Sequence, residues 1–153
     1  MTGRLLAERR PTCAFIDVDD IRHLLVTGGA APWKGAEGQR QQQLGVVNTC
    51  ALARNFLAAG IEVIVADVLT AVSAQLYADE LPGCCVIHFA VSQPEAERRA
   101  AKRRRWLTDD EFRTLHDADR REPPAAHHHL HVDTLSVEGQ IEAVKQLWSA
   151  HRG

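Results

Sequence analysis

The sequence predicts an α/β fold in which a parallel sheet carries helices on both faces. Four short runs rich in β-branched and apolar residues alternate with longer segments of helical spacing, and this alternation is typical of parallel sheets. The length of 153 residues suits one domain with a substantial core. We therefore expect a single domain over residues 1–153, with strands at 12–16, 61–68, 84–91 and 129–134.

The predicted helices follow from apolar spacing and from residues that begin or end helices. Residues 1–10 are predicted to form a helix that Pro11 ends, and Gly60 is placed just after a long helix over 37–59. Thr108, with Glu111 three residues later, forms a capping-box pattern. The apolar stripe predicted for the long helix consists of Leu44, Val47, Ala51, Leu52, Phe56 and Leu57. The remaining helices are predicted at 19–25, 70–80, 92–105, 109–121 and after a cap at Ser136.

Composition and charge lead to expectations about partners, localisation and the state of the cysteines. A formal net charge of -2 gives no general reason to expect a nucleic-acid partner. There is no long apolar run and no signal peptide, so we expect a cytoplasmic protein without a membrane partner. The cysteines form no CxxC pair, and we expect buried reduced thiols rather than zinc ligands or disulfides at Cys13, Cys50, Cys84 and Cys85.

Acidic residues follow two of the predicted strands. Asp17, Asp19 and Asp20 come at the end of the first strand, and Asp67 ends the second. Ligands of open α/β sheets bind at the carboxyl ends of strands, where a carboxylate can bind a metal ion, accept a proton or act as a nucleophile. The alternative is that these acids only begin a helix, where its dipole favours them. For Asp20 alone we prefer that alternative.

A basic segment follows the third strand. Six basic residues lie close together between Arg98 and Arg105. Carboxylates, Mg²⁺ and movable arginines together are the components of phosphoryl transfer. The alternative for this segment is a solvated helix face.

A histidine cluster over 127–131 invites comparison with metal sites. His129 and His131 would share one face of a strand, but no known ligand spacing accompanies them. We expect a surface loop that enters a strand rather than a metal site. His88, in the third strand, is expected to be buried and hydrogen-bonded.

The order of these parts resembles the P-loop small-molecule kinase family, which includes chloramphenicol phosphotransferase-like, gluconate kinase-like and zeta-toxin-like enzymes. The resemblance extends from Gly3 to the end of the chain. It depends on the segment 16–22, on the strand ending in Asp67, on the basic segment and on the late strand at 132–134.

The resemblance implies an ATP- and Mg²⁺-dependent phosphotransferase that acts on a hydroxyl group of a small molecule. Asp19 would accept the proton of that hydroxyl, and Asp67 would be a Walker-B-like acid near Mg²⁺ or the substrate. Residues 92–121 would form a lid-like segment over ATP. The other implied contacts are Asp17, Arg22, Trp33 and Lys34 for the substrate, and Arg98, Arg103 and Arg105 for the nucleotide.

The sequence departs from this family at its start. A strand and a GxxxxGK[ST] loop precede the first helix in these kinases, and the 153 residues contain neither. Residues 1–7 resemble the helix directly after that loop, so we expect that the chain begins just past the phosphate-binding lysine and binds Mg-ATP poorly. The missing strand is normally central, and its loss would leave two strands with unpaired edges or force a changed strand order.

Two other functions stay open. Residues 15–19 resemble the start of haloacid-dehalogenase-type phosphatases, with Asp17 as nucleophile and Asp19 as general acid, although Ile21 stands where that family has a threonine. A non-catalytic relative of the kinases that acts as a binding module is the third candidate.

Overall fold

A computed structural model describes residues 1–101, 108–121 and 123–151. The chain forms two compact units, Met1–Cys84 and Cys85–Gly153. No helix in the described ranges combines the length and the apolar character that a membrane crossing requires.

The first unit is built around two parallel strands. β1 and β2 pair in parallel, with Cys13 opposite Glu62 and Asp17 opposite Ala66. Because the strands run in the same direction and in this register, their carboxyl ends lie side by side. The elements of this unit are α1 (Thr2–Glu8), β1 (Cys13–Asp17), α2 (Val18–Arg22), α3 (Gly35–Ala58), β2 (Glu62–Ala66) and α4 (Ala71–Glu80).

The second unit contains another parallel pair. β3 and β4 pair with Ile87 opposite His128 and Ala90 opposite His131. The elements of this unit are β3 (Ile87–Ala90), α5 (Gln93–Ala100), α6 (Asp109–Arg121), β4 (His128–His131) and α7 (Val137–His151).

The α/β class with parallel strands is confirmed, but the sheet differs from the prediction. Within the described residues, the strands form two separate two-stranded sheets, β1 with β2 and β3 with β4. The β-branched run at 61–68 predicts a strand that is buried on both faces. That prediction is wrong, since each of the five residues of β2 is only half-buried. A strand with a single paired neighbour has less cover than a central strand of a wide sheet.

The predicted apolar stripe of α3 is also largely wrong. Leu44, Val47, Leu52 and Leu57 are exposed. The buried residues of this helix are instead Gly38, Gly45, Val46, Thr49, Cys50 and Ala53. α3 packs against α2, α4 and β2, and mostly small side chains let these elements approach closely.

Local start and stop signals are confirmed. Gly60 follows α3 with a φ of 74°, a left-handed conformation that glycine adopts without strain. The Thr108 N–H donates to Glu111 Oε2 at 2.9 Å, and the Glu111 N–H donates to Thr108 Oγ1 at 3.2 Å. Ser136 Oγ accepts from the Gly139 N–H at 3.1 Å. These residues act over three positions or fewer, so neighbouring elements have little influence on them.

Candidate functional site

The acids of the first unit lie where the sequence predicted them, at the carboxyl ends of neighbouring strands. Asp17 is the last residue of β1, and Asp67 directly follows β2. The register of the pair places Asp17 opposite Ala66, one position before Asp67. Asp17 is also the N-cap of α2, and its Oδ1 accepts from the Asp19 N–H at 3.2 Å. The strand ends therefore bring acids from two chain segments to one edge of the sheet.

Arg22 joins two of these acids. Its Nη1 donates to Asp19 Oδ1 at 2.9 Å, and its Nη2 donates to Asp67 Oδ1 at 2.8 Å. The exposed fraction of the Asp67 side chain is only 4%, whereas that of Asp19 is 64%. Arg22 thus connects the buried carboxylate of Asp67 to the solvent-exposed carboxylate of Asp19.

Asp67 is held by three donors. Besides Arg22, the Val68 N–H donates to Oδ1 at 2.8 Å, and the Tyr77 hydroxyl donates to Oδ2 at 2.9 Å. Burial raises the pKa of the Asp67 carboxyl, and Arg22 and Tyr77 partly oppose that shift because they favour the ionised form. Burial and the Asp67 charge raise the pKa of Tyr77. Tyr77 therefore keeps its proton and serves as a hydrogen-bond donor.

Sequence reasoning missed Tyr77 and Gly45. Tyr77 lies on the buried face of α4 with Ser73 and Ala74, and this helical spacing is the signal that could have found it. Gly45 of α3 makes room for Arg22, since a Cβ there would lie 3.0 Å from Arg22 Cγ. Within the described part of the chain, the Arg22 Nε is buried without a hydrogen-bond partner, so the side chain is fixed through its two Nη groups.

A small cleft opens beside these groups. It has a volume of about 180 Å³ and is lined by Asp17, Asp19, Ala66, Asp67 and Val68. Complete small-molecule pockets are larger, at roughly 300–1,000 Å³. The cleft can therefore receive an ion with its water molecules, or one end of a small substrate.

Other predicted site residues lie elsewhere. Trp33 and Lys34 are exposed in the turn before α3 and do not line this cleft. Asp20 is an exposed acid in the first turn of α2, as the alternative interpretation expected.

The arginines predicted to contact a nucleotide belong to the second unit or lie outside the described residues. Arg98 is on α5, where its Nε donates to Glu95 Oε2 at 2.6 Å. Arg98 and Arg99 lower the pKa of Glu95 to about 2. Arg103 and Arg105 fall within 102–107, outside the described residues.

No protein-family model matches the chain, and no curated protein matches its sequence. An exposed carboxylate that is fixed by an arginine, beside a cleft with further acids, can accept a proton from a bound hydroxyl group.

Proposed function

We propose that the chain carries the acceptor side of an ATP- and Mg²⁺-dependent phosphotransferase that acts on a hydroxyl group of a small molecule. The observation that carries this proposal is the Arg22 bridge between Asp19 and Asp67 beside a cleft at the carboxyl ends of parallel strands. In such sheets, this edge is where ligands bind.

Asp19 is the proposed proton acceptor. Its carboxylate is largely open to solvent and lines the cleft, so an acceptor hydroxyl can reach it. Arg22 holds one of its oxygens at 2.9 Å and limits the directions in which the carboxylate points. Fixed orientation of a base relative to its substrate lowers the entropic barrier of the reaction.

Asp67 has two proposed roles: it positions Arg22, and it would bind Mg²⁺. It anchors Arg22 from inside the unit, and its Oδ2, which accepts from Tyr77, keeps a second lone pair. The residues fit Mg²⁺ because three carboxylates and one guanidinium give the cleft a net negative charge, and carboxylates are ligands that Mg²⁺ prefers. Asp67 would hold the ion, with Asp17 beside it. When bound, Mg²⁺ offsets the charge of the phosphates.

The sheets give separate support. The kinase resemblance expects that a central strand is missing, which would leave its neighbours with unpaired edges or force a changed strand order. In the described ranges, β2 pairs with β1 alone and β3 pairs with β4 alone. A GxxxxGK[ST] loop, whose backbone N–H groups cradle phosphates, does not occur in the 153 residues. We expect these 153 residues alone to bind Mg-ATP weakly, and micromolar binding in titration calorimetry would contradict this.

The two alternatives are less well supported. A phosphatase would use the Asp17 carboxylate as nucleophile, and the Asp19 N–H engages only its Oδ1. This alternative has less support because Ile21 stands where that family has a threonine. A non-catalytic binding module is favoured by one observation, that the 153 residues contain no GxxxxGK[ST] loop.

The experiment measures ADP formation by the product of the complete reading frame that encodes this chain. A panel of small-molecule alcohols is supplied with ATP and Mg²⁺. We expect ADP formation to depend on one class of acceptor. Asp19→Asn should lower kcat by about 100-fold or more, whereas Asp20→Asn, the exposed neighbour in the same helix, should not.

Two results would overturn the proposal. One is the absence of acceptor-dependent ADP formation, which favours the binding module. The other is equal activity of Asp19→Asn and Asp20→Asn. An aspartyl-phosphate analogue trapped with beryllofluoride and lost in Asp17→Asn would favour the phosphatase instead.

A further inference from the structure

Three potential metal ligands meet in the second unit, and none of them is a residue of the proposed phosphotransferase site. The sulfur of Cys85 and one ring nitrogen each of His128 and His151 lie within 4.8 Å of one another. Cys85 comes two residues before β3, His128 begins β4, and His151 ends α7. Three separate chain segments therefore supply one ligand atom each.

The strand pairing fixes two of these segments. β3 and β4 are in register with Ile87 opposite His128. Val86, next to Cys85, accepts at its carbonyl from the His128 N–H at 3.2 Å and from the His127 N–H at 2.9 Å. The Val86 N–H donates to His127 Nδ1 at 3.0 Å. Backbone pairing thus holds Cys85 beside His128, and ligands that are fixed before binding lose less entropy when they bind.

His128 supplies an independent observation that points to a ligand. Its Nε2 is buried and has no hydrogen-bond partner among the described residues. Buried polar atoms are nearly always paired, and an exception calls for an explanation. A bound cation would give this nitrogen the partner that it lacks.

We propose that Cys85, His128 and His151 bind a single zinc-type divalent ion that fastens the end of α7 to the amino ends of β3 and β4. Thiolate and imidazole are the ligands that such ions prefer, and three of them leave one tetrahedral position for a fourth. His127 is a candidate, with its ring centroid 4.5 Å from that of His151. The hydrogen bond from Val86 uses its Nδ1, so His127 would bind through Nε2.

The site lies on a different face of β4 from the one that the histidine pattern suggested. His128 and Leu130 are half-buried, whereas His129 and His131 are exposed. His129 Nδ1 lies 3.2 Å from His88 Nδ1, and His88 Nε2 lies 3.0 Å from Asp119 Oδ1. His88 is thus hydrogen-bonded as predicted, although it is half-buried rather than buried, and His129 contacts it instead of joining the metal ligands.

The experiment titrates the metal-free chain with Zn²⁺ in a calorimeter and with Co²⁺ in a spectrophotometer. We expect one ion per chain and a thiolate-to-cobalt charge-transfer band. Loss of a residue that merely orients a ligand weakens metal binding about 10–100-fold, so Cys85→Ser and His151→Ala should weaken it at least that much. Cys85→Ser should also abolish the charge-transfer band.

Matched controls come from the same stretches of chain. Cys84→Ser removes the adjacent thiol, and His131→Ala removes an exposed histidine of β4; both should bind Zn²⁺ and Co²⁺ like the original chain. Circular dichroism checks that each variant is folded. Absence of Zn²⁺ binding would overturn the proposal. The proposal would also be overturned if the Cys85→Ser variant bound Zn²⁺ as tightly as the Cys84→Ser variant does.

A chemical readout tests the same ligands without mutation. Zn²⁺ should slow alkylation of Cys85 and leave Cys84 as reactive as before, because a metal-bound thiolate is a poorer nucleophile. Equal protection of the two adjacent thiols would contradict a site built on Cys85.

Discussion

Replacing Arg22 with methionine tests whether the Arg22 bridge stabilises the first unit. Methionine keeps an unbranched stem beside Gly45 but removes both Nη donors. Asp67, with a side chain only 4% exposed, then loses its cation. Breaking a buried ion pair costs about 3–5 kcal/mol. Because Tyr77 and Val68 still donate to Asp67, we expect a smaller loss of about 2–3 kcal/mol in the free energy of unfolding.

The exposed half of the bridge contributes little to that figure. The Asp19 side chain is 64% exposed, so its pair with Arg22 is worth about 0–0.5 kcal/mol after solvent screening. Arg40→Met is the matched control, because Arg40 forms an exposed pair with Glu37 in α3. We expect its effect on stability to be small.

The loss caused by Arg22→Met should also depend on pH. Burial raises the pKa of Asp67, so the stabilising contribution of this group is complete below the unfolded pKa, about 3.9, and is lost as pH rises through the folded pKa. Without Arg22, the folded pKa of Asp67 rises further. The deficit of the variant should therefore be smaller near pH 4 than near pH 7.

Urea unfolding followed by circular dichroism gives the difference in free energy. Because the chain has two compact units, hydrogen exchange of peptides covering β1 and β2 locates the loss. Equal losses in Arg22→Met and Arg40→Met, or a deficit that does not change with pH, would refute the reasoning.

Three further results are expected. Urea unfolding should show that Gly45→Ala is less favourable for stability than Gly139→Ala. A new Cβ at position 45 would lie 3.0 Å from Arg22, whereas a new Cβ at position 139 would lie 3.5 Å or more from its neighbours. Alanine normally gains about 1 kcal/mol over glycine in a helix, and an equal gain at both positions would contradict the close contact with Arg22. Cys50 is fully buried and burial raises its pKa to about 11, so peptide mapping after alkylation should find it the slowest of the thiols; fast labelling in the native state would be incompatible with this burial. Arg98 and Arg99 hold the pKa of Glu95 at about 2, so the stability from this group is present above the unfolded pKa and lost as pH falls through about 2. NMR titration should show that Arg98→Gln raises this pKa, and an unchanged pKa would mean that Arg98 does not hold the carboxylate.

The parts of the site that sequence predicted depend on short segments. Asp17 and Asp67 were placed correctly because an acid directly after a β-rich run lies at the carboxyl end of that strand wherever the strand pairs. The caps at Thr108 and Ser136 were likewise local. No local pattern predicts the Arg22 bridge, because two of the residues that Arg22 contacts come from distant segments: Asp67 follows β2 and Gly45 lies in α3.

The parts that sequence did not predict depend on packing across the chain. Periodicity marks an apolar side of α3, but the distance to neighbouring elements decides which side is buried, and Gly45, Thr49 and Ala53 allow the closer approach. The meeting of Cys85, His128 and His151 depends on the β3–β4 register and on where α7 ends. Cys85 and His151 are far apart in sequence, so no ligand spacing could reveal them.

The half-buried β2 strand has a consequence for handling the protein. In the described ranges, one edge of β2 pairs with β1 and the other has no strand beside it. An apolar strand with an open edge is a template for intermolecular pairing, and windows of high β-propensity without proline form cross-β assemblies. Residues 61–68 contain only two charged side chains, Glu62 and Asp67, and the structure engages these with Arg10 and Arg22. Few charges are thus left to oppose self-assembly, and the fraction of protein that stays unaggregated should fall as the protein concentration rises.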